Sequence, residues 1–207
     1  EDSPFKAGLI KQAILRTNTK FRTCADVGCG AGLVAEIIAA EYPESAVRGY
    51  DLSPDAAAFW PSRKGVELSN ADLFGTSDRF DLALCLDVFE HVEDYIGFLR
   101  DLREHADRFI FNIPLDLNCA KIFGGFRTVR ETVGHLHYFN RYTALATLEL
   151  AGYRVVDSFF AAAFKRQRPK SLKHLLVTLP RYASLPFGPE FSPNLFGGYS
   201  LVVTADA

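Results

Sequence analysis

Apolar residues recur along this chain in two rhythms, one of about 3.6 residues and one of short continuous runs, and the two alternate. Phe5, Leu9, Ile10, Ala13 and Ile14 fall at helical spacing and predict an N-terminal helix over 5–19. Thr23 to Val27 reads as a short buried strand. A turn with glycines at 28, 30 and 32 follows, then a helix from Leu33 to about Tyr42, stopped by Pro43. Val47 to Asp51 is a second strand ending in an acid. Ser53-Pro54-Asp55 then opens another helix with a capping residue and a proline at the first helical position. Val66 to Asn70 forms a third strand. Phe80 to Leu86, nearly all apolar, forms a fourth that should be buried on both faces. A helix over Val92 to His105 and a fifth strand from Arg108 to Ile113 complete the regular part. Such alternation predicts an α/β fold with a doubly wound, largely parallel sheet covered by helices on both faces.

After Pro114 the alternation lapses. A loop of roughly twenty residues carries His135-Leu136-His137, and loops of that length inside a domain tend to be functional. A helix from Arg141 to Gly152 precedes a sixth strand, Tyr153 to Phe164, and Tyr199 to Thr204 makes a seventh. Between these lies an insertion, about 165–197, rich in Pro, Phe and Leu. From Ser158 to Pro189 it holds no acid, but it carries Lys165, Arg166, Arg168, Lys170, Lys173 and Arg181. Its charges suit a solvated face and Leu172, Leu175, Leu176, Leu179 and Phe187 suit a core. Equally, the segment suits a basic, apolar cap over an anionic or lipid-like acceptor, with peripheral membrane contact through 165–190.

Composition narrows the class. The 207 residues, 48% hydrophobic and 23% charged, are enough for one sizeable core, so 1–207 is expected to form a single domain. A formal net charge of −2 gives no electrostatic case for nucleic acid. Cys24, Cys29, Cys85 and Cys119 contain no C-x-x-C pair and lie in or beside predicted strands. They read as buried hydrophobes in a reducing, cytoplasmic setting; no metal is expected. No apolar run reaches the roughly 20 residues needed to span a bilayer. The chain contains no Met, so its native start is expected upstream of Glu1.

The glycine turn is the candidate binding element. A dinucleotide fingerprint would need glycines at 28, 30 and 33, but residue 33 is Leu and the third glycine comes at 32. A diphosphate is therefore not the natural ligand. Acids fall in the first strand and beyond the next two: Asp26, Asp51 and Asp72. Asp51, about 20 residues past the turn, is placed for a ribose diol, and Asp72 for an exocyclic amine. These positions describe a nucleoside site without phosphate neutralisation.

The residues resemble the class I S-adenosylmethionine-dependent methyltransferases, in the small-molecule branch. The resemblance rests on Ala25-Asp26-Val27-Gly28-Cys29-Gly30-Ala31-Gly32, Gly49-Tyr50-Asp51-Leu52-Ser53, Ala71-Asp72-Leu73, and the strand-four segment Leu82 to Val92. His137 to Thr143 and Leu148 to Tyr153 are also similar to that branch. It implies a Rossmann-like seven-stranded mixed sheet whose last strand is antiparallel, inserted between the fifth and sixth. It implies S-adenosylmethionine as cofactor, held by Asp26, Gly28, Cys29, Gly30, Gly32, Asp51, Leu52, Asp72, Leu73, Leu86 and Asp87. The acceptor would be a small molecule methylated on hydroxyl or carboxyl, possibly sugar- or lipid-linked. A hydroxyl acceptor calls for a base, for which His135 and His137 are the candidates, with His91 a third. No Asn/Asp-Pro-Pro-Tyr/Phe follows strand four, which disfavours nucleobase amines. Rival readings are a non-catalytic binding or regulatory module on this fold and an NAD-dependent oxidoreductase.

Overall fold

Successive side chains of a strand point to opposite faces of a sheet, and this chain uses the alternation to build two cores. The computed structural model describes residues 2–122, 125–166 and 172–207, without the side chains of 166, 172–175 and 177. Seven strands, β1 (Thr23–Val27), β2 (Ala46–Tyr50), β3 (Glu67–Ser69), β4 (Phe80–Leu86), β5 (Ala106–Pro114), β6 (Arg154–Ala161) and β7 (Ser200–Asp206), form one sheet in the order 3-2-1-4-5-7-6. Strands β1 to β5 pair in parallel; β7 lies antiparallel to both β5 and β6. This is the Rossmann-like mixed sheet that the alternation and the resemblance imply.

On one face Leu82, Leu84 and Leu86 of β4 pack with Ile110 and Val202 against α1 (Ser3–Thr17) and α2 (Leu33–Glu41). Ala7, Ile10, Ala13 and Ile14 of α1 share one side of that helix and are buried. On the other face Ala83, Cys85, Phe109 and Phe111 pack with later helices. The chain passes through a single helical turn, α3 (Pro54–Ala57), before α4 (Tyr95–Arg103) supplies Leu99 and Leu102 to that core. After β5 come α5 (Cys119–Ile122), α6 (Gly125–Val133) and α7 (Arg141–Leu150), the last adding Ala144 and Leu148. The insertion holds α8 (Leu172–Ala183) and α9 (Phe191–Phe196).

Several boundaries differ from the sequence reading for local reasons. The N-terminal helix is Ser3–Thr17 rather than 5–19, because Asn18 turns left-handed (φ 48°) and its N–H returns to the carbonyls of Ile14 and Leu15. The helix expected from Val92 starts at Tyr95, where the Asp94 side chain accepts the Gly97 N–H at 2.9 Å. The loop after Pro114 carries two short helices. Cys24, Cys29 and Cys85 are buried as expected, but Cys119 is exposed on α5.

The insertion leaves the sheet at Ala161 and rejoins it at Ser200; both ends pair near Pro114, at the carboxyl edge of the parallel strands. Leu176, Leu179 and Phe187 are exposed (63%, 52% and 72%), so they are not the core the pattern allowed. Arg181 is not a solvated charge either: its guanidinium donates to the Phe196 carbonyl and lies 5.8 Å from the centre of the Phe164 ring. Arg168 and Lys170, with the side chains of Arg166, Leu172, Lys173 and Leu175, lie outside the described residues.

At Gly32 the backbone is left-handed (φ +73°) and an added Cβ would sit 2.5 Å from Leu68 Cδ1. Gly32→Ala is therefore expected to cost about 2–4 kcal/mol from backbone strain and overpacking together. In a domain of this size that lowers Tm by roughly 5–10 °C; a Tm unchanged in a melting scan would contradict this reading of the turn.

Candidate functional site

The strand order reverses beside β1, between β1 and β4, and in such sheets this leaves a crevice outside the carboxyl ends of the strands. A cleft of about 620 Å³ lies there, within the size of small-molecule sites. Val27 and Gly28, where the glycine turn begins, line its floor. Gly28 and Cys29 donate their N–H groups to the Tyr50 carbonyl (2.8 and 3.1 Å). The Gly30 N–H goes to Asp51 Oδ2 (2.7 Å), while Asp51 Oδ1 accepts from the Ser53 N–H (2.8 Å). Trp60 donates its indole N–H to the Gly30 carbonyl at 2.9 Å, closing the turn from outside. A Cβ at Gly28 would come within 2.6 Å of Val88 Cγ2, so the turn and the segment after β4 approach as closely as glycine permits.

Of the residues singled out from sequence, Gly28, Asp51, Leu52, Asp72, Leu73 and Asp87 line this cleft. Asp72 caps the turn at Leu73–Gly75 by accepting the Phe74 N–H at 3.0 Å. Asp87 holds a left-handed backbone (φ 57°) and pairs with Lys6 Nζ of α1 at 2.6 Å. Gly30 and Gly32 shape the turn without lining the cleft. Cys29 packs its sulfur against Gly49, where a Cβ would meet it at 2.8 Å. Leu86 points to the face covered by α1 and α2. Asp26 lies beneath the turn, 2% exposed, and its Oδ2 has no hydrogen-bond partner among the described residues. Burial pushes its carboxyl up to about 7, the neighbouring Asp51 adding to the shift and Lys6 opposing it.

The two histidines expected as bases stand apart from the cleft lining. His137 Nε2 is 2.9 Å from the Val92 carbonyl and the ring packs on Tyr95 at 4.2 Å, so it donates to backbone and ties the loop down. His135 is 8% exposed, with Nδ1 2.7 Å from Asp116 Oδ2. Burial raises the Asp116 carboxyl, but hydrogen bonds from His135 and Lys121 outweigh it and hold it below the usual range. His91 does line the cleft, and burial and the adjacent His135 lower its affinity for a proton.

Sequence reasoning missed Glu90. It is 1% exposed, neither carboxylate oxygen has a hydrogen-bond partner among the described residues, and burial, then Asp87, pushes its carboxyl up to about 8. Nothing in the local pattern singles it out, because residues 87–94 hold four acids, Asp87, Glu90, Glu93 and Asp94, and only the fold buries Glu90 among them.

Residues 6–158 match the family described as "Methyltransferase domain". The chain belongs to the class I S-adenosylmethionine-dependent methyltransferases. An 85-residue segment of this methyltransferase is 31% identical to the ubiquinone biosynthesis O-methyltransferase of Rickettsia canadensis, covering 39% of this chain and 36% of that relative. The chain thus spans about a third of the length of that curated relative. A SAM-dependent methyltransferase from Archaeoglobus fulgidus has the same fold, with a TM-score of 0.65 at 16% identity over 100% of this chain and 97% of that one. The magnesium protoporphyrin IX methyltransferase of Synechocystis with bound SAH superposes with a TM-score of 0.64 at 13% identity, over 99% and 83% of the two chains.

The buried Asp26 makes stability depend on pH. Its folded carboxyl keeps a proton up to about pH 7, whereas an unfolded one releases it near the ordinary aspartate value of 3.8. Between these values the folded state holds the extra proton, so stability falls as pH rises through that window. Asp26→Asn removes this titration. Its Tm should decline less between pH 5 and 8 than that of the wild type; parallel declines would show that Asp26 ionises freely in the folded state.

Proposed function

We propose that this methyltransferase binds S-adenosylmethionine in the cleft and methylates an oxygen of a small-molecule acceptor entering from the β5 and β7 side. The observation that carries the reading is the charge of the cleft: Asp51, Asp72, Asp87, Asp94 and Asp101 line it, with no lysine or arginine among the described lining residues, although Asp87 is paired with Lys6. A ligand bearing a sulfonium and an ammonium suits such a lining; a diphosphate does not. That argues against a nicotinamide dinucleotide, as does the spacing of the glycines.

Asp51 would take the ribose hydroxyls, with Asp72 and Leu73 at the base and Asp87 toward the ammonium. Bound there, the cofactor would supply an electrophilic methyl group, its sulfonium becoming a neutral thioether as the acceptor oxygen takes the methyl. The chain's task is then to align the acceptor, exclude water and accept the hydroxyl proton. Oxygen as the acceptor atom is favoured by the likeness to an O-methyltransferase. The insertion joins the sheet at the same edge and exposes Leu176, Leu179, Phe187 and Phe191, which suits an acceptor with a lipid-like portion. No described helix is long and apolar enough to cross a membrane, so contact with one would be peripheral.

Two measurements test these assignments. Asp51→Ala should weaken S-adenosylmethionine binding more than tenfold by calorimetry, on the scale of a lost charge-assisted hydrogen bond. Unchanged affinity, or a larger thermal shift with NAD than with S-adenosylmethionine in the wild type, would refute the cofactor assignment. Replacing Leu176 and Phe187 together by Glu should reduce retention on phosphatidylglycerol vesicles at least tenfold, given about 1.5–3 kcal/mol per buried large side chain. Equal retention of both proteins would remove the lipid-facing role of the insertion.

A further inference from the structure

Beyond the cofactor site, the wall of the cleft next to β4 gathers three potential metal ligands. We infer that Glu90, His91 and His135 form a binding site for one divalent metal ion. Glu90 Oε1 lies 4.0 Å from His91 Nε2 and 3.9 Å from His135 Nε2, and the three ligand atoms all fall within 4.8 Å of one another. An ion about 2.1 Å from each ligand requires separations of about 3.4 Å, so the two Glu90 edges must shorten by roughly half an ångström and the His91–His135 edge, within 4.8 Å, by up to about 1.4 Å, which a rotation of the half-exposed His91 ring supplies.

The surroundings already orient the ligands. His135 directs Nδ1 at Asp116 Oδ2 (2.7 Å) and His91 directs Nδ1 at the Gly134 carbonyl (3.2 Å). A neutral ring that donates from Nδ1 presents its Nε2 lone pair, and both such lone pairs face the carboxylate. This is the arrangement in which second-shell acceptors fix metal-binding imidazoles. The N–H groups of Leu136 and His137 both donate to the Glu90 carbonyl (2.8 and 3.2 Å), locking the loop that carries His135 against the residue it must meet. Three acceptors thus converge with no donor among them, around a carboxylate whose two oxygens lack any partner among the described residues. The nearby Lys6 spends its ammonium on Asp87. Two imidazoles and a carboxylate suit zinc, manganese, iron or cobalt in the divalent state.

His91 lines the cleft, so the open positions of such an ion would face the acceptor and could take its oxygen. That role rests on the proposed O-methylation; the ion site itself does not. The test is therefore metal binding without cofactor or acceptor. Chelator-treated protein is titrated with Co2+, followed by visible absorption and calorimetry. One ion per chain should bind with a Kd at or below the order of 10 µM. Glu90→Gln and His135→Asn should each weaken it at least a hundredfold. Asp116→Asn, acting through His135, should weaken it roughly 10- to 100-fold, and His105→Gln, whose ring bonds the Asp78 carbonyl away from the site, should leave it intact. Co2+ should also raise the Tm of the wild type, a readout that needs no variant. Absence of saturable binding, absence of the Tm shift, or equal binding by Glu90→Gln would overturn the site. Co2+ binding in a protein that methylates no oxygen acceptor would keep the site and defeat the reaction instead.

Discussion

The hydrogen bonds between the turn after β1 and the end of β2 are the constraint on which the rest of the site depends. Gly28 and Cys29 are held by the Tyr50 carbonyl and Gly30 by the Asp51 carboxylate, so two strand ends that are neighbours in the sheet become one rigid floor. Because β1 and β4 stand side by side at the reversal of strand order, the same floor also meets the segment after β4 through Gly28 and Val88. Any side chain in that contact would lift the segment that carries Asp87, Glu90 and His91. The three glycines are thus packing requirements as much as conformational ones.

Charge is distributed unevenly around this floor. Five aspartates line the open cleft, where water still solvates them, while Asp26 and Glu90 are removed from water below and beside it. Isolated buried carboxylates are costly, and a protein keeps them only where a proton or a cation accompanies them. The two groups therefore mark where the structure is not optimised for its own stability. Both lie within reach of the cleft's chemistry, Asp26 under the turn and Glu90 between two imidazoles, a placement typical of perturbed groups at functional sites.

The insertion is stabilised differently from the sheet. Its inner side is held by directed contacts, Arg181 to the Phe196 carbonyl and the Tyr199 hydroxyl to Ser192 Oγ, while several large apolar side chains remain outside. Phe164 is buried in the core, while Leu176, Leu179 and Phe187 leave apolar surface available at the edge where the acceptor would enter.

Local pattern determined a great deal of this protein. The continuous apolar run of β4, the glycines at 28, 30 and 32 and the acids at 51 and 72 are short-range features, so strand and helix succession, sheet class and family were legible from them. Helix ends were less so, because Asn18 and Asp94 act as caps through single hydrogen bonds that periodicity does not encode. Tertiary structure alone decided which candidates share a space. It turned His137 to a backbone carbonyl, set Cys29 and Leu86 behind the cleft, and joined Glu90 and His91 to a histidine 44 residues away, paired through Asp116 from a third segment. Such a meeting depends on how the loop after β5 folds back over the end of β4, and that is fixed by backbone hydrogen bonds between remote residues, which no spacing along the chain records.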